Sequence, residues 1–232
     1  MKRVFVSITA ISLVFLSACF FPGDLNAQET RDLDPFTGIG IGISADVYYT
    51  PGNSHKIRIE GNSRDVKDLI TKVEDGYLKL KYKDWRVKRS KLTVYITSKE
   101  LDKVGLSGSG DFKSDKPVSS EEISIAISGS GNVLFAVLNT EELDVKISGS
   151  GDAILEKGSA DEFDVKISGS GKVIAENFET SEFSAGISGS GSVKITVMDE
   201  LDARISGSGS VYYHGDPQVN SSTSGSGKVR SL

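Results

Sequence analysis

Apolar and polar residues alternate with period two through much of the chain beyond residue 36, and the alternation is organised around one recurring tetrapeptide. Ser-Gly-Ser-Gly begins at Ser107, Ser128, Ser148, Ser168, Ser188, Ser206 and Ser224, at successive spacings of 21, 20, 20, 20, 18 and 18 residues. Just before each copy stand Leu106, Ile127, Ile147, Ile167, Ile187, Ile205 and finally Thr223; two residues earlier stand Val104, Ile125, Val145, Val165, Ala185, Ala203 and Ser221. After the tetrapeptide, Phe112, Val133, Ala153, Val173, Val193, Val211 and Val229 share one position, and Phe135, Leu155, Ala175, Ile195 and Tyr213 lie two further on. Lys146, Lys166 and Arg204 occupy intervening places, so each segment reads as a short strand with one face in and one face out. Strand, corner, strand and second turn, recurring every 18 to 21 residues, predict an all-β parallel β-helix, or β-solenoid, of about seven coils. Successive coils would stack ~4.8 Å apart with like residues over like.

The corner glycines are Gly108 and Gly110, Gly129 and Gly131, Gly149 and Gly151, Gly169 and Gly171, Gly189 and Gly191, Gly207 and Gly209, and Gly225 and Gly227. A bend this tight is expected to need φ > 0, which glycine adopts without penalty, and the serine hydroxyls are expected to satisfy corner backbone groups. In the last coil the inward positions are Val219, Ser221, Thr223 and Ser231, a polar layer expected to cap the stack.

Residues 36–100 lack the tetrapeptide but form a β-rich head. Lys56 to Glu60, Tyr77 to Tyr82 and Leu92 to Ile96 alternate, and Ile43-Ser44-Ala45-Asp46-Val47 reads as a degenerate first corner. Asn62 or Ser63 can cap one short helix whose apolar face is Val66, Leu69, Ile70 and Val73. With no Pro- or Ser-rich linker between head (36–100) and coils (101–232), residues 36–232 read as one domain, preceded by a short tether at 28–35.

Lys2 and Arg3 precede an uncharged apolar run from Val4 to Phe21 ended by Pro22-Gly23, so residues 1–27 read as an export leader. Two exits compete. Leu16-Ser17-Ala18-Cys19 resembles a lipobox, in which Cys19 would be acylated and become the new N-terminus; Leu25-Asn26-Ala27 resembles an ordinary leader-peptidase site, with cleavage after Ala27. The expected location is the bacterial cell envelope: periplasm, outer membrane or surface. Any hold on the membrane would come through the lipid anchor alone.

The Asp46-Val47-Tyr48-Tyr49 strand, the Val73-Glu74-Asp75-Gly76-Tyr77-Leu78 hairpin, Leu92 to Ile96 and the repeated tetrapeptide together resemble the bacterial putative auto-transporter adhesin head GIN domain family, over roughly residues 36–230. The resemblance implies a β-helical envelope domain of unknown function, and the family supplies no catalytic residues to carry over.

Composition narrows the chemistry. A net charge of −5 excludes a generally basic nucleic-acid binder, and one cysteine with two histidines excludes a disulfide framework and a Cys/His zinc cluster. Gly169-Ser170-Gly171-Lys172 and Gly225-Ser226-Gly227-Lys228 are not phosphate loops, since Val173 and Val229 replace the hydroxyl that would hold Mg²⁺. The position after each tetrapeptide reads Asp111, Asn132, Asp152, Lys172, Ser192, Ser210 and Lys228, and the lysines rule out a calcium roll. Glu100, Glu122, Glu142, Glu162, Glu182 and Glu200 form a stripe that reads as a solvated corner, with weak cation attraction as the rival reading. Asp144/Lys146, Asp164/Lys166 and Asp202/Arg204 recur from coil to coil and so read as architecture; His55 and His214 beside Asp216 read as turn residues. One local departure remains: Lys79, Lys81, Lys83, Arg86, Lys88, Arg89 and Lys91 surround Tyr82 and Trp85 with Asp84 as the only acid. Within it Trp85, Arg86, Lys88 and Arg89 form a candidate patch for an anionic glycan or an acidic partner surface. No cofactor or metal is expected. The expected function is a non-enzymatic adhesin-like, structural or binding module for an envelope protein or glycan, open to self-association; a carbohydrate-binding or carbohydrate-active β-helix is the alternative.

Overall fold

The computed structural model describes residues 26–84 and 86–232, and the leader with Cys19 lies outside them. The repeating part is a parallel β-solenoid, and its seven corners bound about six complete turns. Leading into the corner, Glu122–Ile127 pairs in parallel with 142–147, and the ladder continues through Gly158–Gly169, Lys172–Gly189, Ser192–Gly207 and Gln218–Gly225. Ile127, Ile147, Ile167, Ile187, Ile205 and Thr223 are consecutive partners, so a single register runs the length of the column. After the corner, Asp111–Ser114, Val133–Phe135, Ala153–Leu155, 172–175, 192–196, Ser210–His214 and Lys228–Ser231 form a second face. A short third face runs through Val118–Ser119, 138–140, 158–160 and 178–180. Where the repeat shortens from 20 to 18 residues, the register shifts between Ala175 and Glu179 and again between Thr180 and Glu182, so the deletion is absorbed in the second turn and the corner stays aligned.

Like residues over like make one continuous core. Phe112 lies 5.5 Å from Phe135, and Phe163 meets Phe183 and Phe178 edge-on at 5.4 and 5.8 Å, geometry that adds to the area buried. The hydroxyls of Thr180 and Ser98 are satisfied: Thr180 Oγ1 donates to a backbone carbonyl, and Ser98 Oγ, 3.0 Å from the Tyr49 hydroxyl, donates to the Glu100 carbonyl at 2.7 Å, whereas the buried Tyr82 hydroxyl has no hydrogen-bond partner among the described residues.

The head continues the column in an order the chain does not follow. Gly38–Ile41 and Ala45–Pro51 form the coil beneath Lys103–Leu106 and Asp111–Ser114. Beneath that coil lies a later one, Tyr77–Tyr82 with Leu92–Ser98. Antiparallel strands then close the end: Leu69–Glu74 on Tyr77–Tyr82, Lys56–Asn62 on Leu92–Ser98, and Asn26–Asp32 outermost. The degenerate corner is present, but its frame starts at Ile41, which pairs with Leu106, while Asp46 pairs with Asp111; Ile43 and Ala45 therefore stand where Gly108 and Gly110 stand above.

Two expectations fail in the head. The helix is Ser63–Asp68, N-capped by Asn62 Oδ1 accepting from the Arg64 N–H, and of its expected apolar face it keeps Val66 alone. Leu69–Glu74 is a strand, because Asp75 (φ 52) and Gly76 (φ 72) form a tight hairpin turn and Ile70, Thr71 and Val73 favour the pleat. The tether at 28–35 is largely strand as well. Arg31 donates to the carbonyls of Leu69 (2.6 Å) and Val66 (2.9 Å) and to Thr71 Oγ1 (3.0 Å), fixing Asn26–Asp32 to the helix end by long side-chain bonds that a polar sequence does not advertise. At the opposite end Val219, Ser221 and Thr223 lie over Leu201, Ala203 and Ile205, and the whole strand Gln218–Gly225 is exposed.

Candidate functional site

The corner glycines sit in files, and steric approach rather than conformation governs most of them. Positive φ occurs in the first glycine of the later corners, as at Gly169 (138°) and Gly189 (127°). The second glycine is constrained by its neighbour: a Cβ on Gly131 would lie 1.8 Å from the Gly110 carbonyl oxygen, and one on Gly151 2.1 Å from that of Gly131. The expected role of the serines is also different. Corner groups are bonded backbone to backbone, with the Ser170, Ser190 and Ser208 N–H groups donating to the carbonyls of Gly149, Gly169 and Gly189 at 2.9 Å. Of the tetrapeptide serines, all of them among the described residues, only Ser107 turns its hydroxyl to the backbone, at 3.4 Å from the Ile41 carbonyl. The corner serines are left as exposed hydroxyl files.

Beside the corner runs a side-chain ladder not apparent in the sequence. Asp111 Oδ1 accepts from the Asn132 N–H and from Asn132 Nδ2, both at 3.0 Å; Asn132 Oδ1 accepts from the Asp152 N–H (3.1 Å); Asp152 Oδ1 accepts from the Lys172 N–H (2.9 Å). Reading types alone showed alternating charge, whereas stacking turns the same residues into caps for the coil above. The glutamate stripe stacks as expected, Glu122, Glu142, Glu162, Glu182 and Glu200 being consecutive partners on an exposed corner. No group of three or more His, Cys, Asp or Glu among the described residues is arranged to hold a metal ion. His55 Nδ1 accepts from the Phe36 N–H at 3.4 Å with its ring edge-on to Phe36, a packing role.

A second file lies outward on the post-corner face. Tyr95, Tyr48, Lys113, Leu134, Ile154, Ile174, Lys194 and Tyr212 are successive partners across neighbouring coils. Tyr48 and Tyr95 stack at 5.4 Å, and the Arg58 guanidinium lies 3.9 Å over the Tyr95 ring. Leu134, Ile154 and Ile174 are half-buried and form an aliphatic strip between two lysines.

The basic loop is an enlarged corner. Between Leu80 and Leu92 the chain spends residues 81–91 where the coil above, between Ile41 and Ala45, spends 42–44. Arg89, expected in the binding patch, is an anchor: its Nη1 donates to Asp68 Oδ2 (2.6 Å) and Asp65 Oδ1 (3.1 Å), its guanidinium lies 4.7 Å over the Tyr82 ring, and Asp65 Oδ2 also accepts from the Ser90 N–H. The hydrogen bonds that Arg89 donates to Asp68 and Asp65 push its pKa up. Burial, aided by Asp65, pushes the Tyr82 hydroxyl up to about 12. Arg86 is exposed and bonds to Asp84 at 3.2 Å; Lys88 is exposed; Trp85 lies outside the described residues. Lys79 and Lys72 both reach Glu74 and hold its carboxyl down at about 2. A cleft of about 770 Å³ opens between loop and helix end, lined by Asp68, Ile70, Lys83, Asp84, Arg86 and Arg89. The sequence assembles the loop's cations but gives no sign that Arg89 is spent on carboxylates on the helix.

No helix among the described residues is long and apolar enough to cross a membrane. No curated protein is similar in sequence to this chain. Solved structures are similar to it throughout. A putative adhesin from Bacteroides fragilis NCTC 9343 is 25% identical with a TM-score of 0.86, over 91% of this chain and 99% of that one. A putative adhesin from Parabacteroides merdae ATCC 43184 and a putative lipid binding protein from Parabacteroides distasonis ATCC 8503 are each 25% identical with a TM-score of 0.72, over 89% of this chain and 96% of theirs. The profile of the family described as "Putative auto-transporter adhesin, head GIN domain" matches residues 35–217, and with the column, corners and head laid out as above, the chain belongs to that family.

Proposed function

We propose that the protein is an exported, non-enzymatic envelope component acting as an adhesin-like binding module, which presents a rigid, flat, repeating β surface to an envelope protein or glycan. The observation that supports this reading most is the single register of the strands that flank the corner, because similar contacts repeated at coil spacing let many weak interactions add along an extended partner. The aliphatic and tyrosine file of the post-corner face is the natural contact strip, and Trp85, Arg86 and Lys88 of the enlarged corner would add cationic and aromatic contacts. A catalytic centre is a local exception within a fold, and the carboxylates here repeat from coil to coil. The test combines a glycan array, a pull-down from envelope extract and a hydrolase and lyase screen on the leaderless chain. Saturable binding to a polymer without turnover is expected, weakened by Ile154→Ser with Ile174→Ser; turnover of any glycan overturns the reading in favour of a carbohydrate-active enzyme.

A further inference from the structure

The end of the column formed by the head differs in charge from the rest of the molecule. Asp65 and Asp68 are paired with Arg89, and Glu74 with Lys72 and Lys79, while Asp34 and Asp75 stay exposed without an ion pair among the described residues. Exposed cations outnumber such acids at this end. Arg64 and Lys67 on the helix and Lys83 and Lys88 on the enlarged corner are exposed and make no side-chain ion pair among the described residues, while Arg86 shares one acid, Asp84, and remains 75% exposed. The glutamate stripe runs up a corner of the coils, and at the other end the strand Gln218–Gly225 carries no charge while the last strand exposes Lys228 and Arg230 as its only charges. Independently, Asn26, the first described residue, begins the outermost strand of this same end and pairs with Asn62 beside the helix. If Cys19 is the lipid anchor, residues 20–25 reach at most ~20 Å.

We propose that this end is a docking surface for the anionic headgroups of a phospholipid bilayer, held by Arg64, Lys67, Lys83, Arg86 and Lys88, so that the column stands on the membrane with its opposite end outward. Cations near an anionic leaflet gain from its surface potential, each strengthening partition roughly fivefold, and the attraction fades within a Debye length. The proposal does not depend on acylation of Cys19 or on the adhesin-like reading of the column's sides.

The test is co-sedimentation of residues 26–232, which contain every strand of the fold, with vesicles of phosphatidylcholine alone or of phosphatidylcholine mixed with phosphatidylglycerol. Binding is expected on the mixed vesicles and not on the neutral ones, and high salt should abolish it. Replacing Lys67, Lys83 and Lys88 with glutamine should weaken partition about a hundredfold, whereas Lys228→Gln with Arg230→Gln at the opposite end should leave it unchanged. Circular dichroism and melting of each variant confirm folding, and the salt and lipid dependence of the unaltered chain gives a readout that needs no variant. Absence of binding to the mixed vesicles, salt-insensitive binding, or equal losses from both sets of substitutions overturns the proposal, as does binding to a soluble acidic polysaccharide without binding to vesicles.

Discussion

The ring of Tyr77 covers Gly40. A Cβ on Gly40 would lie 2.5 Å from Tyr77 Cε1, and one on Gly105, in the next coil, 2.4 Å from the Tyr77 hydroxyl. These glycines leave a bare shelf on the outer face, on which an aromatic side chain of the lower coil lies flat. Gly186, further up the same outward row, has nothing closer than 3.9 Å to such a Cβ. Gly40→Ala should therefore cost about 1–2 kcal/mol by lifting the ring, while Gly186→Ala should be neutral or stabilise by up to about 1 kcal/mol. Thermal melts of the two variants check this; equal melting temperatures would dismiss the shelf.

The corner glycines should be less forgiving than the hairpin glycine. Gly76 has φ 72 with open space around it, so Gly76→Ala carries strain alone, about 1 kcal/mol. In Gly151→Ala the Cβ meets the Gly131 carbonyl oxygen, and in Gly149→Val it meets that of Gly129 at 2.4 Å; backbone atoms bonded into the coil below cannot retreat. A loss of about 3 kcal/mol is expected for either, measured by denaturant unfolding.

The Asp111–Asn132–Asp152 ladder predicts a charge effect. Asn132→Ala removes the side-chain bonds to Asp111 Oδ1 and from the Asp152 N–H, keeps the backbone N–H bond to Asp111, and should cost about 1–2 kcal/mol. Asn132→Asp places a third carboxylate between two others, so its destabilisation should be larger at neutral pH than at acidic pH, read from melting curves at both.

Arg89 and Arg86 sit three residues apart in the chain but in different circumstances. Arg89→Ala leaves Asp65, 7% exposed, without its cation and uncovers Tyr82, and should lower the melting temperature by several degrees. Arg86→Ala should change stability by less than about 0.5 kcal/mol. A reversed ranking would contradict the anchor role.

Glu74 gives a pH dependence of known sign. Its carboxyl is held at about 2 in the folded chain against an ordinary 4.5, so the folded state favours the carboxylate. The resulting stability is present above the ordinary value and is lost as pH falls from about 4.5 toward 2. The group is exposed, so salt should weaken the effect, and Glu74→Gln should flatten that limb of the stability profile.

The repeating part was legible because one steric problem recurs: each corner meets the corner below, and the same residues answer it every time. The head was less so. Nothing in Gly38–Ile41 indicates that Tyr77–Tyr82 will slide beneath it, since out-of-order stacking leaves no periodic trace. Asn26–Asp32 alternates polar with polar, and its partner strand lies 30 or so residues downstream. Among the candidate residues, the loop's charge was visible, but the assignment of Arg89 depends on Asp65, 24 residues earlier, brought close by a strand that the helical spacing of Leu69, Ile70 and Val73 had concealed.

The order of the head also governs how such a molecule can change over evolutionary time. The coil Gly38–Ile41 with Ala45–Pro51 is held between a later coil below and the first corner-bearing coil above, so it cannot be duplicated or lost without unpairing both neighbours. Between Glu122 and Gly207, in contrast, each unit meets near-copies of itself on both sides, and the register already accommodates units of 20 and 18 residues. Gene segments encoding whole units can be added or removed there, which makes the height of the column an adjustable trait and its base a fixed one.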